Sequence, residues 1–450
     1  MAIDFRVQDF FYPHSILRLR GILEKTQWLA PGDLGAYQES LLARTISQAC
    51  AHVPYYRNLF REIGLEPADI RTVEDLKKLP LMNKDTLRSA GEALVADNAR
   101  RYRPVRYQTS GTTGAPVAVF HGRESNALEF AFYWRHWSWA GYRLGQPFAD
   151  LQTTHFLVNE EWSRRLSLWQ LHLRRLLLNS SRVGPAQAAA QAREIRRRRC
   201  RYIKGLASTL YCFALSCRDA GVRDLDFQAV FSTGEVMLPH YRRLIESVFH
   251  GPVLDAYGHM ERTAAITQCP RGGYHVNADY GVLELVDLSP AGDGRTLRGR
   301  AVGTSLHNPV MPLLRYDIGD EIEVDASPRA CSCGRTLPLI RAIRGRAAEA
   351  VVTPDGRFLT SLYVVPDLVK GIRHIQYIQK SSDALEIRIV PDAGWNGDIG
   401  DQVLRYSRRA VGPEMRLLLR LVGEDDLVRD PSGKVRGVVS RVDLSVQDTP

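Results

Sequence analysis

The sequence predicts an α/β protein: β-sheets flanked by helices over a large N-terminal region, followed by a small α+β domain. Three patterns predict this. From about residue 203, short apolar runs bounded by Gly and Pro alternate with helical segments. Before residue 90, apolar residues recur at helical spacing instead. Beyond residue 350, hairpin-like and strand-like runs surround one helical stretch. A chain of 450 residues suits two to three domains, at roughly 150 residues each.

Taken in order, Ser40–Cys50 (SLLARTISQAC) reads as a helix. Ala51–Phe60 (AHVPYYRNLF) supplies a Pro break and then an aromatic cluster. Residues 124–142 and 162–178 read as helices rich in Trp, Phe and Leu, whose rings serve either the core or the wall of an apolar pocket. Arg193–Tyr202 (REIRRRRCRY) reads as the solvated end of a helix, with a nucleic-acid patch as the alternative. Tyr202–Gly205, Ala229–Ser232 and Val253–Ala256 read as buried strands, and 281–287 and 321–325 as strands of a meander. After residue 350, VVTPDGRFL reads as a hairpin with a PDG turn. HIQYIQ and ALEIRIV read as strands, Gly400–Ala410 as a helix, and the remainder as loop plus a short strand.

Composition excludes several classes. With 44% hydrophobic and 24% charged residues the chain has ample material for a core, so disorder as the main state is excluded. No run approaches the ~20 apolar residues of a membrane helix. The charged N-terminus lacks a signal-peptide pattern, so a cytoplasmic protein is expected. Lys and Arg total 60 against 50 acids, a net charge of +10, and only eight of the 60 are Lys. This excess favours anionic ligands without naming one. No recognition motif accompanies it, and no nucleic-acid partner is expected. Seven cysteines, an odd number, argue against a disulfide framework.

The strongest local signal is Tyr107–Pro116, YQTSGTTGAP. Thr109, Ser110, Gly111, Thr112, Thr113 and Gly114 are all Thr, Ser or Gly. Glycines let successive N–H groups point into one concavity, and the hydroxyls add donors without bulk. Such a loop can wrap phosphates. It lacks the Lys-Ser/Thr pair of the P-loop NTPases. Composition alone leaves a flexible surface turn open.

Later segments place this loop in context. Ser232–Glu235 (STGE), Asp255–Glu261 (DAYGHME), Leu314–Asp320 (LRYDIGD), Ile343–Arg346 (IRGR) and Ser432–Lys434 (SGK) follow it in that order. Together the six segments resemble the motifs of the AMP-forming adenylate-forming superfamily, which comprises acyl-CoA synthetases, peptide-synthetase adenylation domains and luciferases. Within it, AHVPYYRNLF and CSCGRTLP resemble the phenylacetate–CoA ligase branch, which includes CapK-type proteins. The resemblance spans about residues 40–440. It implies a large adenylate-forming domain, 1–345, that binds ATP and an acid. A small mobile C-terminal domain, 346–450, then carries the catalytic Lys434.

The resemblance also implies roles. A carboxylate and ATP repel each other, so phosphate charge has to be neutralised and the reactants held in line. Residues 109–114 hold the β- and γ-phosphates. Gly234 and Glu235 lie near the adenine, and Tyr257-Gly258 offers it a flat face. Glu261 ligates Mg²⁺, a cation that prefers oxygen ligands. Asp320 accepts both ribose hydroxyls. Arg346 reaches ribose or phosphate from the hinge, and Lys434 bridges the acid and the α-phosphate. For Tyr257, Asp320 and Lys434 the alternatives are turn packing, loop capping and an exposed turn lysine. His259, inside the Tyr257 motif, stands between a place near the acyl substrate and a plain polar wall.

The chain departs from the family pattern at three positions. Ala115 follows the loop where Lys is common, Met260 replaces a hydroxyl residue, and Ala348 replaces the hinge Asp. The Gly-rich loop after the hinge gives way to VVTPDGRF, so adenylation is better supported than transfer to CoA.

A separate constellation is Cys269 and His275 (CPRGGYH) with Cys331 and Cys333 (CSCG). Three thiols and one imidazole form a tetrahedral Zn²⁺ set with no open position, hence structural. Gly and Pro place both pairs on loops. The alternative is free cysteines beside a surface histidine. Similar loops bind zinc in relatives within the branch that the sequence resembles.

The expected function is ATP-dependent activation of a carboxylic acid, aromatic residues at 130–142 suggesting an aromatic or other apolar one where they do not simply pack the core. The acyl-adenylate passes to a thiol (CoA or a carrier) or to an amine. The cofactors are ATP, Mg²⁺ and structural Zn²⁺, with CoA a candidate. Two rivals stand beside this: a ligase relative deficient in adenylation that serves as a biosynthetic partner, and a basic nucleic-acid-binding protein. The sequence does not fix an oligomeric state.

Overall fold

The computed structural model describes residues 12–108, 117–152, 174–179, 184–237, 239–291, 295–327, 329–345, 351–354, 358–359, 362, 369, 371–392, 394–428 and 437–442. Packing divides the chain into two compact units. The first comprises Met1–Thr109, Val117–Leu144 and Leu254–Gly345; the second comprises Ser110–Pro116, Gly145–Val253 and Arg346–Pro450.

The first unit begins with helices α1 (Tyr12–Thr26), α2 (Pro31–His52), α3 (Pro54–Ile63) and α4 (Lys84–Ala90). Leu34, Leu41, Leu42, Ile46 and Ala49 bury one face of α2. The helix stops at Val53, extended because a proline follows; Pro54 then opens α3 at its first turn. Gly64, at φ 67°, ends α3 in the left-handed region. Strands β1 (Val105–Gln108) and β2 (Ala118–His121) pair antiparallel, with Val105 opposite His121. Helix α5 (Arg123–Ser138) follows, and it buries Phe132, Trp134 and Trp137. Most of its aromatic residues are therefore core.

In the second unit, β3 (Phe148–Gln152), β4 (Arg175–Asn179), β5 (Tyr202–Leu206) and β6 (Ala229–Thr233) form parallel ladders in the order β4-β3-β5-β6. Helices α6 (Pro185–Arg197), α7 (Ala207–Asp219) and α8 (Pro239–Phe249) alternate with them. Their core holds Ile203, Leu210, Phe213, Val230, Ile245 and Phe249. The helix expected over 162–178 is overturned at its end, where Arg175–Asn179 is a strand. A short apolar run such as Leu176–Leu178 has no decisive period, and pairing with β3 decides it. The arginine run is the solvated end of α6: Arg197 and Arg198 pair with Glu194 at 2.7 and 2.9 Å, and Arg196 pairs with Asp224.

Returning to the first unit, β7 (Val253–Tyr257), β8 (Ile266–Gln268) and β9 (Tyr274–Val276) pair antiparallel in sequence. Next come β10 (Gly281–Ala291), β11 (Thr296–Ser305) and β12 (Tyr316–Asp325), an antiparallel meander with bulges. Strand β13 (Leu339–Ile340) joins β9, and β14 (Ala342–Gly345) joins β12. One core runs from Leu42, Tyr56 and Leu76 through Ile266 and Val282 to Leu314 and Tyr316. It ties the N-terminal helices to the meander.

The chain then returns to the second unit. Strands β15 (Val351–Val352) and β16 (Phe358–Leu359) pair antiparallel, as the PDG hairpin predicts. A four-stranded sheet follows, built from β17 (Ile372–Ser381), β18 (Ala384–Pro391), β19 (Arg416–Leu421) and β20 (Val438–Ser440) in the order β19-β18-β17-β20. Helix α9 (Gly397–Val411) adds Val403 and Val411 to the core of Tyr377, Leu385, Ile387 and Ile389.

Candidate functional site

Residues far apart in sequence meet in the first unit around the C-terminal end of β7. The Tyr257 hydroxyl donates to Asp320 Oδ2 at 2.7 Å. Four residues after Tyr257, Glu261 Oε1 accepts the Tyr316 hydroxyl at 2.8 Å. Glu261 is 6% exposed and Tyr316 fully buried. Tyr316 and Asp320 both lie on β12, so one strand organises both contacts.

Met82 pins the other side of the site. Its N–H donates to Arg315 O at 3.0 Å and its carbonyl accepts from Asp317 N–H at 2.7 Å. This pairing holds α4 beside β12. Asn83 caps that helix by accepting the Thr86 N–H at 2.9 Å, and Lys84 follows as its first residue. Burial alone would push the Glu261 carboxyl up. His259, Lys84 and the Tyr316 hydroxyl outweigh it and hold the acid below its ordinary range. His259 contributes only where it is protonated, so Lys84 and Tyr316 act at neutral pH. Lys84 escapes the motif reading. The available signal is scarcity: it is one of eight Lys in a strongly Arg-rich chain.

A second layer backs this wall. Arg262 donates to Asn126 Oδ1 at 2.7 Å, lies 3.7 Å from Glu129, and sits over the Tyr107 ring. Tyr107 donates to the same Asn126 oxygen at 2.9 Å. His121 Nε2 donates to Met260 O at 2.8 Å, and burial pulls its pKa down to about 3. The segment that precedes the Ser/Thr/Gly run is thus packed against Arg262 and Asn126.

Other expected residues are placed differently. Gly234 (φ 78°) and Glu235 lie in the second unit after β6. Glu235 Oε2 accepts the Ser208 N–H at 2.8 Å in the first turn of α7, a favourable place for a carboxylate. Residues 109–114, Ala115, Arg346, Ala348 and Lys434 lie outside the described residues.

The cysteines and histidine do come together. The ligating atoms of Cys269, His275, Cys331 and Cys333 all lie within 4.8 Å of one another. Cys269 Sγ is 3.6 Å from Cys331 Sγ, and Cys333 Sγ is 3.3 Å from His275 Nε2. Tetrahedral ligands at about 2.3 Å from zinc stand about 3.8 Å apart, so the four atoms fit such an ion. His275 lies on β9 rather than on a loop as expected, because its strand pairs with β13. Its Nδ1 hydrogen-bonds to Leu337 O at 3.1 Å, which turns Nε2 towards the thiols. A Cβ on Gly273 would lie 2.8 Å from Cys331 Sγ, so glycine is needed at this close approach. Burial and the neighbouring thiols push Cys269 up to about 12, whereas Arg335 holds Cys333 below the ordinary thiol value despite burial. Arg335 also lies between the Trp28 and Trp139 rings, with centroid distances of 5.0 and 4.2 Å, so the cluster loop is tied to the end of α1.

No family model matches the sequence. The chain is 24% identical over 389 residues to a phenylacetate–coenzyme A ligase of Thermus thermophilus, covering 82% of this chain and 84% of that one. It is 20% identical over 273 residues to protein CapK of Staphylococcus aureus, covering 60% and 59%. Among solved structures, 2-hydroxyisobutyryl-CoA ligase with 2-HIB-AMP and CoA, in the thioesterification state, aligns with a TM-score of 0.62. That alignment has 19% identity and covers 93% of this chain and 91% of that one. The same ligase in a postadenylation state aligns with a TM-score of 0.58. The chain is similar in sequence to phenylacetate–coenzyme A ligase and to CapK, and it has the fold of 2-hydroxyisobutyryl-CoA ligase. Glu261, Tyr257 and Asp320 of this chain lie together through the contacts with β12. Among the described residues, no helix is long and apolar enough to cross a membrane.

Proposed function

We propose that the protein is an AMP-forming carboxylate ligase that activates an acid as its acyl-adenylate and passes the acyl group to CoA. One observation carries this reading: the Tyr257–Asp320 and Glu261–Tyr316 pairs share one strand within an adenylate-forming fold. Tyr257 presents its ring to the adenine and Asp320 receives the ribose hydroxyls, already oriented by their mutual hydrogen bond. Gly234 and Glu235 border the adenine. Residues 109–114 wrap the phosphates, and Lys84, which helps hold Glu261 ionised, adds a cation to the site.

Glu261 is an ionised carboxylate at neutral pH and so suits a hard cation; Mg²⁺ bound there would neutralise phosphate charge. Residues 1–345 form the ATP- and acid-binding domain, and 346–450 a mobile domain that brings Lys434 to the carboxylate and α-phosphate. Arg346 contacts the nucleotide from the hinge. The acid is aromatic in this reading. Tyr133, whose hydroxyl lies 3.9 Å from where a Gly258 side chain would begin, bounds its pocket. Cys269, His275, Cys331 and Cys333 hold a structural Zn²⁺.

The experiment is pyrophosphate release from ATP with a panel of acids, with mass detection of the adenylate and then of the thioester. Lys434→Ala should abolish adenylate formation yet spare thioester formation from a supplied acyl-adenylate. If ATP does not bind and no acid is turned over, this reading fails.

A further inference from the structure

Among the described residues, the wall that holds Tyr257 and Glu261 contains a buried donor with no partner. His259 Nε2 accepts the Thr263 N–H at 3.2 Å and meets Thr263 Oγ1 at 2.8 Å. A ring nitrogen that accepts a backbone N–H carries no proton, so the neutral imidazole bears its proton on Nδ1. Nδ1 is shielded from solvent and has no hydrogen-bond partner. Such a group is costly to leave unpaired.

The ring is also held in place. Thr263 is fully buried. A Cβ on Gly281 would lie 2.1 Å from Thr263 O, and one on Gly303 would lie 2.0 Å from Thr263 Oγ1. Two glycines therefore let β10 and β11 close over Thr263, and Thr263 fixes the imidazole. The ring centroid is 6.1 Å from that of Tyr257. Met260, the next residue, is 40% exposed and offers no side-chain donor. A rigid, neutral, unpaired N–H in this wall needs an acceptor oxygen. Glu261, Asp320 and Glu129 nearby disfavour a phosphate dianion in that place. They oppose a carboxyl oxygen less, because it carries at most one negative charge.

We infer that His259 Nδ1–H is a catalytic hydrogen-bond donor to the carboxyl oxygen of the acid substrate. This rests on the ligase reading above. One carboxylate oxygen attacks the α-phosphorus, forming a C–O–P linkage, and the bond to pyrophosphate breaks with its electron pair leaving on pyrophosphate. The second oxygen remains as the acyl carbonyl and accepts from His259. When the CoA thiolate forms the C–S bond, an electron pair moves onto that same oxygen. Collapse then expels AMP. His259 keeps its proton throughout and is worth most while the oxygen is negative.

Two substitutions separate this role from a structural one. In His259→Asn the amide nitrogen can take the place of Nδ1, while in His259→Gln it reaches only the place of Nε2. Full-length His259→Asn should keep adenylation and thioester formation within about five-fold of wild type, while His259→Gln should lose roughly 10²-fold in kcat with KM for ATP unchanged. A structural role predicts the reverse order, because Gln preserves the Thr263 contact and Asn does not. That reverse order, equal losses, or no loss in either variant overturns the inference.

A readout independent of turnover is nitrogen-15 NMR of the histidine-labelled protein with phenylacetate as the probe. The Nδ1–H resonance of His259 should be present and should shift on addition. An Nε2–H tautomer, or no response to phenylacetate or acetate, overturns the inference whether or not the wild type turns over. A response to phenylacetate in a protein that releases no pyrophosphate leaves the carboxylate contact standing and refutes the ligase reading.

Discussion

Glu261→Gln isolates the charge at the centre of the site. Oε1 accepts the Tyr316 hydroxyl at 2.8 Å, and the Gln carbonyl oxygen can accept the same bond in the same volume. The structural cost is the difference between a charged and a neutral acceptor, about 1 kcal/mol. For a 450-residue chain that melts as one unit, that corresponds to a fall in Tm of about 1 °C. The functional cost is larger. If the carboxylate holds the cation that offsets phosphate charge, its loss removes roughly 3 kcal/mol of transition-state stabilisation, or about 10²-fold in rate. The assay is Mg²⁺-dependent pyrophosphate release beside a thermal melt of the same preparation. A near-native melt with about 10²-fold slower adenylation is expected. Adenylation within five-fold of wild type at equal Mg²⁺ refutes Glu261 as a cation ligand. Tyr316→Phe is the complement: it keeps the charge but removes a donor that holds the acid low. The acidic limb of its pH–rate profile should move to higher pH.

Two further predictions follow from burial and from the thiol cluster. His136 is 1% exposed and burial pulls its pKa down to about 4, so its folded state resists protonation. The stabilising contribution is complete above an unfolded pKa of about 6.5 and is lost as pH falls from there towards 4; His136 alone accounts for up to about 3 kcal/mol. Chemical denaturation at pH 7.5 and pH 4.5 should show that loss, and His136→Gln should reduce it; equal stability at the two pH values would exclude the mechanism. Wild-type protein should carry one zinc by elemental analysis, and Cys331→Ser should lower both bound zinc and Tm. A metal-free wild type that keeps its melting point with a chelator rules the site out.

Much of the fold was legible in residue patterns. Ile203, Val230 and Leu254 mark buried strands because short apolar runs between Gly and Pro leave little else to form. The β4 segment misled because three leucines satisfy a helix and a strand equally well; its pairing with β3 lies outside any local window. In the site, motif order picked out Tyr257, Glu261 and Asp320. Lys84 and His259 lacked a comparable signal. Lys84 matters because Met82 pairs with β12, and His259 because Thr263 fixes one ring nitrogen and strands the other.

Chain order and residue type alone determined the α/β class, the order of the adenylate-forming motifs and the Cys₃His composition. These follow from local backbone preferences and side-chain chemistry, which a linear string carries. Tertiary structure alone decided that Tyr316 hydrogen-bonds to Glu261, that His275 stands on a strand beside three thiols, and that one buried N–H of His259 stays unpaired. Those facts depend on strand register and on close approaches allowed by Gly273, Gly281 and Gly303, and such distances arise only after remote segments have packed together.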